Sequence, residues 1–269
     1  MYSLYELLFF FIIYSILGWC VEVTYEAVDM GKFVNRGFLN GPYCPIYGEG
    51  VIIVVLCLNP IKENLLLLYF GSLILTTALE FMTGFILEKI FHQKWWDYSD
   101  QHFNLMGYIC PKFSLCWGFA CLIVVRLIHP LIATAVGYIP TVVGVVILIV
   151  AYVGFTSDFI ITVLGIMHIK KQIRVLENIS AEMRNISDHT GEKLYDTVTG
   201  IREINENISE KNEARKVKFE ELKNKYKTAF ENKSHVQKRI ENAFPHLKFG
   251  DRKSLKEIYE EYKSDKKNN

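Results

Sequence analysis

The stretch NRGFLNGPYCPIYGEG, residues 35–50, decides how this chain can fold. It has four glycines, two prolines and one cation, Arg36, and it lies between two strongly apolar segments. Glycine permits backbone angles that other residues avoid, and proline removes a backbone donor and fixes φ. These residues therefore predict neither a plain helix nor a plain strand. Between membrane spans, such a stretch is either a connecting loop or irregular backbone that dips into the bundle and forms part of a site.

Charge divides the chain into two parts. Residues 1–169 carry seven basic and eleven acidic side chains, whereas residues 170–269 carry 23 basic and 18 acidic ones. Such a split is typical of an apolar membrane domain followed by a water-soluble extension. We predict a transmembrane domain over residues 1–168 and a cytoplasmic helical tail over residues 169–269.

Apolar runs long enough to cross a bilayer, which needs ~20 residues, recur in the first part of the chain. They predict about five transmembrane helices, at about residues 4–28, 48–58, 65–90, 113–128 and 141–168. The second run is short and stops at Asn59 and Pro60, so it is either a tilted or a partly re-entrant helix. The predicted fold class is all-α, a polytopic α-helical membrane bundle.

The basic residues near the short loops predict the orientation, because they are enriched on the cytoplasmic side of a membrane. Five spans place the two chain ends on opposite sides. One side then holds most of the basic loop residues, namely Lys32, Arg36, Lys89, Lys94 and Lys112, and the other holds Lys62 and Arg126. We therefore expect a multi-pass protein of the cell membrane, with the N-terminus outside and the C-terminus in the cytoplasm.

The tail carries apolar residues at helical spacing. Ile173, Leu176, Ile179 and Met183 follow one another at gaps of three or four residues, which indicates an amphipathic helix. Such a helix could form a coiled coil by self-association or could dock on a partner. A solvated helical tail without a specific role fits the same pattern.

Carboxylates on two predicted spans suggest a shared polar site. Glu22 and Glu26 lie one turn apart on the first span, and Glu80 and Glu88 lie two turns apart on the third. A carboxylate in hydrocarbon is costly, so these faces should turn toward protein or water. We predict a cavity near the cytoplasmic side that Arg36 closes. Alternatively, Glu22 or Glu80 pairs with Arg36 and only holds the loop against the bundle.

The predicted site has eleven members, drawn from these spans and from the two loops on the same side. They are Glu22, Glu26, Asn35, Arg36, Tyr47, Glu80, Glu88, Trp96, Asp97, Tyr98 and Asn104.

Several known motifs do not occur in this sequence. It has no GxxxxGK[ST] phosphate loop, no HExxH or CxxC metal pattern, and no GxSxG nucleophile turn. The sequence therefore predicts no catalytic residue, no metal and no cofactor. It also has no basic and aromatic nucleic-acid module, so membrane lipid is the expected environment and nucleic acid is not an expected partner.

A set of short motifs carries a family resemblance. The pieces are GW-x-x-E at residues 18–22, NRGFL-x-GP-x-x-PIYG at 35–48, LEF at 79–81 with Glu88, WWDYS at 95–99, FN-L-x-G at 103–107, and Trp117 with Gly118. Together they resemble the CmpB-like family of type IV ABC-transporter permeases, over about residues 10–130. The resemblance implies a multi-pass permease-like protein. It also implies a separate ATPase subunit that would couple to the tail or to the cytoplasmic loops.

Taken with the polar site, these features favour a transporter permease-like membrane protein of unknown substrate, and a role other than catalysis. Two alternatives stay open. One is a membrane-embedded enzyme that acts on a lipid-linked substrate and uses a buried glutamate as its base. The other is a non-catalytic scaffold whose tail binds partners.

Overall fold

The computed structural model describes residues 2–92, 94–198, 217–218, 220–222, 224–225, 228 and 234–244. Over these residues the chain forms helices and no strand. The helices are α1 (Leu4–Met30), α2 (Pro45–Leu58), α3 (Leu65–Phe91), α4 (Pro111–Ile123), α5 (His129–Gly137), α6 (Thr141–Val198) and α7 (His235–Ala243). A short 3-10 turn, Asn59–Ile61, follows α2, and a π turn, Val124–Ile128, joins α4 to α5. The predicted all-α class is confirmed.

The membrane bundle predicted from the sequence is confirmed, although four apolar helical segments rather than the predicted five are long enough to cross a membrane within the described residues. They are Leu4–Val28, Leu65–Phe91, Pro111–Gly137 and Thr141–Gln172. The second apolar run forms a shorter helix, Pro45–Ile61. Large apolar side chains cover the outer surface of these helices, and on α3 the exposed ones include Leu66, Ile74, Met82 and Ile90. An extended apolar surface of this kind is what a lipid-facing bundle presents.

The fourth span is longer than predicted. The sequence placed its end at about Ile128, close to Arg126, His129 and Pro130. The helix instead continues to Gly137 through the π turn, in which the His129 N–H donates to the carbonyl of Val124, five residues back. The wider turn accommodates the proline without ending the helix.

The helices pack around two clusters of buried apolar side chains. In one, Val54 and Leu58 of α2 contact Leu68 of α3 and Cys121 of α4. In the other, Phe10 and Tyr14 of α1 contact Val136 of α5 and Leu148 of α6. The side chains of each cluster are closely packed, and separating the helices would leave cavities that cost free energy. Each cluster therefore holds its helices in place.

Two successive helical hairpins share one plan. Both α1 and α3 have 27 residues, and both end in a left-handed residue, Gly31 with φ of 67° and His92 with φ of 57°. An irregular connection follows each helix, and the next helix starts at a Cys-Pro step, Cys44-Pro45 for α2 and Cys110-Pro111 for α4. Six of the eleven predicted site residues lie in these two irregular connections, residues 31–44 and 92–110.

The chain forms two compact units. One comprises the residues up to Leu164 together with those from Arg239 onward, and the other comprises Gly165–Lys238. In the second unit, exposed Lys218 pairs with Glu182 at 2.6 Å. Because α6 is continuous through Val198, no helix boundary lies between residues 168 and 169. The predicted domain boundary and the predicted coiled coil stay predictions, and residues 199–216 and 245–269 lie outside the described residues.

Candidate functional site

The 31–44 loop dips into the bundle. The Cys44 N–H donates to the carbonyl of Ser15 at 2.9 Å. Ser15 lies near the middle of α1, roughly 22 Å from Met30 at 1.5 Å per residue. The chain therefore leaves the end of α1, turns back along it, and starts α2 near the middle of a membrane-spanning helix.

Two glycines allow this close packing. Gly48 of α2 lies directly on α1, where an added Cβ would come within 2.6 Å of the Phe11 carbonyl oxygen. The Tyr47 ring packs against Gly18 of α1, and a Cβ added at Gly18 would overlap this ring. Any larger residue at these two positions would force α1 and α2 apart.

Asn35 organises the backbone of the loop. Its Oδ1 accepts from the Trp19 indole N–H at 2.8 Å and from the Gly37 N–H at 3.1 Å, and its Nδ2 donates to the Asn40 carbonyl at 2.7 Å. Irregular backbone at membrane depth is tolerated only where protein satisfies its polar groups. Asn35 satisfies two such groups and ties the loop to α1.

Asp158 of α6 holds the tip of the loop. Its carboxylate accepts from the Asn40 N–H at 3.2 Å, from the Asn40 Nδ2 at 3.0 Å and from the Gly41 N–H at 2.7 Å. The hydroxyl of Thr162, one turn along α6, accepts a further bond from Asn40 at 2.7 Å. The lone acid of the last span therefore serves as an acceptor for loop backbone.

Two carboxylates act electrostatically on the same tyrosine, Tyr98, and each accepts a hydrogen bond from a tyrosine hydroxyl. Glu22 of α1 accepts from the Tyr47 hydroxyl at 2.5 Å, and Glu80 of α3 accepts from the Tyr98 hydroxyl at 3.1 Å. Burial and the Glu80 carboxylate raise the pKa of Tyr98, so that its hydroxyl keeps its proton and remains a donor. Glu22 also acts electrostatically on Tyr98. We call Glu22, Tyr47, Glu80 and Tyr98 the carboxylate cluster.

Glu80 is the least satisfied member of the carboxylate cluster. Its side chain is buried, with the residue 8% exposed, and its Oε2 has no hydrogen-bond partner in the described part of the chain. The Trp117 indole also lies close to the Glu80 carboxyl group. Its N–H does not form a hydrogen bond to Oε2. Among the described residues, neither Glu22 nor Glu80 forms an ion pair. A buried carboxylate without a counter-charge is costly, so Glu80 is the acid of the carboxylate cluster whose burial the described residues compensate least.

Arg36 pairs with Glu26, one turn beyond Glu22 on α1. The Glu26 side chain is 3% exposed and that of Arg36 is 35% exposed. The single cation of residues 35–50 therefore neutralises Glu26, and in this structure it forms no ion pair with Glu22 or Glu80.

Replacing Arg36 by alanine should lower the free energy of unfolding by about 2 kcal/mol, because it leaves the Glu26 carboxylate buried and unpaired. The expected loss is smaller than for a fully buried pair, since Arg36 is partly exposed. Thermal unfolding in detergent measures it.

The double variant Glu26→Gln/Arg36→Ala is the matched control for this pair. It should recover at least half of the loss, because no unpaired charge remains buried. If the single and double variants are equally unstable, the Glu26–Arg36 pair does not account for the effect.

The remaining predicted residues organise the 92–110 connection. Glu88 accepts from the Tyr108 hydroxyl at 2.8 Å, and the Trp96 indole donates to the Tyr108 carbonyl at 2.9 Å. Burial, together with Glu88, raises the pKa of Tyr108 to about 12. Asp97 accepts from the Ser99 N–H at 3.0 Å.

Asn104 stabilises the 92–110 connection through hydrogen bonds to its backbone. Its Nδ2 donates to the Gln101 carbonyl at 2.8 Å, and its Oδ1 accepts from the Gly107 N–H at 3.0 Å. The contacts of Glu88, Trp96, Asp97 and Asn104 are thus within the connection or between it and the end of α3.

The structure therefore sorts the eleven predicted residues into groups. Glu22, Tyr47, Glu80 and Tyr98 form the carboxylate cluster. Glu26 and Arg36 form the adjacent ion pair, and Asn35 holds the 31–44 loop. The predicted site did not include Asp158, interpreted from the sequence as a helix-packing or half-cavity polar residue, or Arg239, and both also hold this loop. The position of Asp158 within an apolar span was a usable signal, whereas nothing in the local sequence marks Arg239.

The motif pieces of the family resemblance contact one another. Trp19 of the first motif bonds Asn35 of the second, Gly18 admits the ring of Tyr47, and Glu22 accepts the hydroxyl of the same tyrosine. Pieces that are separate in the sequence thus build one packed region. The combination of motifs identifies the family more specifically than any single motif, because a residue of one motif contacts a residue of another.

The family model described as "Putative ABC-transporter type IV" matches residues 9–163, which is more than half of the chain. The match reaches further than the motifs at residues 10–130, because it also includes the first part of α6. No solved structure matches the chain. The chain belongs to the family described as "Putative ABC-transporter type IV".

Proposed function

We propose that the protein is the membrane-embedded component of a transporter, and that the carboxylate cluster binds the transported solute or a cation coupled to it. The observation that carries the proposal is Glu80, a buried carboxyl group with one oxygen that the described residues leave without a partner. The proposal is supported by α2, which starts level with the middle of α1, a helix long enough to span the membrane. Ionisable groups at such depth mark substrate and ion pathways in membrane proteins.

The broken backbone supports the same function. Secondary transporters place their sites where discontinuous helices meet unwound segments near the middle of the bilayer. Here the 31–44 loop is such an unwound segment, and α2 starts at Cys44, whose amide bonds the middle of α1. The Tyr47 and Glu22 side chains come together just beyond that start.

We also propose the orientation and the partner that this function needs. The basic loop residues favour an external N-terminus and a cytoplasmic C-terminus, which places the 31–44 loop and the 92–110 connection on the cytoplasmic side. An ABC-type component requires a separate ATPase subunit, and the family membership supports one. Co-purification of an ATPase with the full chain from its native membrane tests this partner.

Replacing Glu80 by glutamine should abolish transport while the protein still folds, since glutamine keeps the shape but not the charge. A strain lacking the protein is complemented with wild type or with Glu80→Gln, and small molecules in cells and medium are quantified by mass spectrometry. We expect at least one solute to shift between cell and medium by about tenfold, the change that ~1.4 kcal/mol of lost binding produces. The total amount of that solute should stay constant.

Glu88→Gln is the matched control, because Glu88 is on the same helix and also accepts from a tyrosine, Tyr108. It should behave as wild type at equal expression. If Glu80→Gln instead makes an unmodified lipid-linked compound accumulate while its product disappears, the protein is an enzyme and the transporter proposal fails. If folded Glu80→Gln changes nothing, the scaffold alternative is favoured.

A further inference from the structure

One cation from the distant C-terminal region lies on the 31–44 loop. The Arg239 guanidinium donates to the Gly37 carbonyl at 2.8 Å, to the Phe38 carbonyl at 3.0 Å and to Asn40 Oδ1 at 2.9 Å. Asp158, which binds the same loop from α6, attracts Arg239 electrostatically. Because these bonds are charge-assisted and share one planar group, they are strong and directional.

The residues after Arg239 add an apolar contact. Ile240 and Ala243 are buried, and the Phe244 ring packs edge-on against Trp95 with 5.1 Å between centroids. Trp95 in turn packs against Phe38, at the tip of the loop, with 5.0 Å between centroids. We call residues 239–244 the strap. They bind the loop through the hydrogen bonds of Arg239 to its carbonyl groups and through the contact of Phe244 with Trp95, which packs against Phe38.

The contacts of the strap continue to the carboxylate cluster through Cys44. The loop that the strap holds ends at Cys44, whose N–H donates to the Ser15 carbonyl at 2.9 Å and whose carbonyl accepts from the Tyr47 N–H at 3.1 Å. Cys44 is buried and immediately precedes the first residue of α2. A movement of the loop would therefore act on Cys44 and, through the bond between Cys44 and Tyr47, on the carboxylate cluster.

We propose that the strap is a gate on the carboxylate cluster: it locks the 31–44 loop in the closed position, and its release opens the cluster to the side on which the strap lies. In the described part of the chain, Arg239 donates to the loop and forms no hydrogen bond to the membrane-spanning helices. What enters the opened cluster rests on the proposed function, whereas the locking itself does not.

Thiol labelling of the full chain in membranes tests the gate. A water-soluble maleimide is added, and mass spectrometry of the digested protein reads the labelling rate at each cysteine. We expect Arg239→Ala to raise the rate at Cys44 at least about tenfold, because a buried thiol reacts only in the open state. Arg239→Lys should give an intermediate rate, since lysine keeps the charge but not the planar fork.

Cys121 is the internal control, because it is buried in a separate apolar cluster, among Val54, Leu58 and Leu68. Its rate should not change in Arg239→Ala. Lys238→Ala, an exposed neighbour of Arg239, should leave the Cys44 rate at the wild-type value. Phe244→Ala loosens the strap without touching the Arg239 bonds and should also raise the Cys44 rate.

Two results would overturn the gate. One is an unchanged Cys44 rate in both Arg239→Ala and Phe244→Ala. The other is an equal rise at Cys44 and Cys121, which would show general loosening of the bundle instead of local release. Neither readout depends on transport, so the gate can fail while the proposed function stands, and the converse also holds.

Discussion

Replacing Asp158 by alanine should lower the free energy of unfolding by about 4 kcal/mol. The change removes the acceptor of three hydrogen bonds and leaves the N–H groups of Asn40 and Gly41 without partners inside the bundle. Each unsatisfied buried donor costs roughly 1–3 kcal/mol. Thermal unfolding in detergent should show a midpoint lower by roughly 10 °C, from the usual shift per kcal/mol for a chain of this size.

Asp158→Asn and Ser157→Ala are the controls for this prediction. Asparagine retains one acceptor oxygen, so its loss should be smaller than that of alanine. Ser157 is the exposed neighbour of Asp158 on α6, and its replacement should change stability by less than ~0.5 kcal/mol. An Asp158→Ala protein as stable as wild type would show that Asp158 does not hold the loop.

Replacing Gly48 by alanine should lower the free energy of unfolding by about 3 kcal/mol, the upper end of the usual overpacking cost. The added Cβ would lie 2.6 Å from the Phe11 carbonyl oxygen. Because that neighbour is backbone, it cannot rotate away, and α1 and α2 must separate. The separation should also disturb the bond between Cys44 and Ser15, which lies at the same contact.

Gly154→Ala is the matched control, since it is also a glycine in an apolar helix and an added Cβ there meets nothing within 4 Å. Alanine at that position should leave stability unchanged or raise it by up to ~1 kcal/mol, through better helix propensity. Equal losses in the two variants would mean that the loss comes from the helix itself, and that the close approach of α1 to α2 does not matter.

The fold was largely predictable because lipid imposes simple rules. Apolar runs of sufficient length must be helical, since no other element satisfies all its backbone groups in hydrocarbon. The sequence therefore predicted α1, α3 and α6 near their observed starts. It failed at Pro130, because the π turn that absorbs the proline depends on a five-residue hydrogen bond from His129 to Val124, which no local pattern announces.

The sequence could predict which residues belong to the candidate site, but it could not predict which of them contact each other. Spacing placed Glu22 and Glu26 on one helix face, but it could not say which of them Arg36 would neutralise. The two alternatives were a shared counter-charge for the acids and a simple pair with Glu22 or Glu80. The structure pairs Arg36 with Glu26 and gives Glu22 and Glu80 tyrosine donors instead. The outcome depends on how far the loop descends, which is a tertiary property.

By itself, the sequence determined that this chain is a helical membrane protein and that residues 35–50 interrupt its spans. It did so because apolar length, glycine and proline act locally. Only the tertiary structure decided that the interruption turns back to the middle of α1, where Cys44 bonds Ser15. Only the tertiary structure places Asp158 and Arg239 in contact with the loop. These two residues are 118 and 199 residues, respectively, after Asn40 in the sequence. Such contacts follow from the shape of the whole bundle, because buried backbone must find its partners wherever the packed chain provides them.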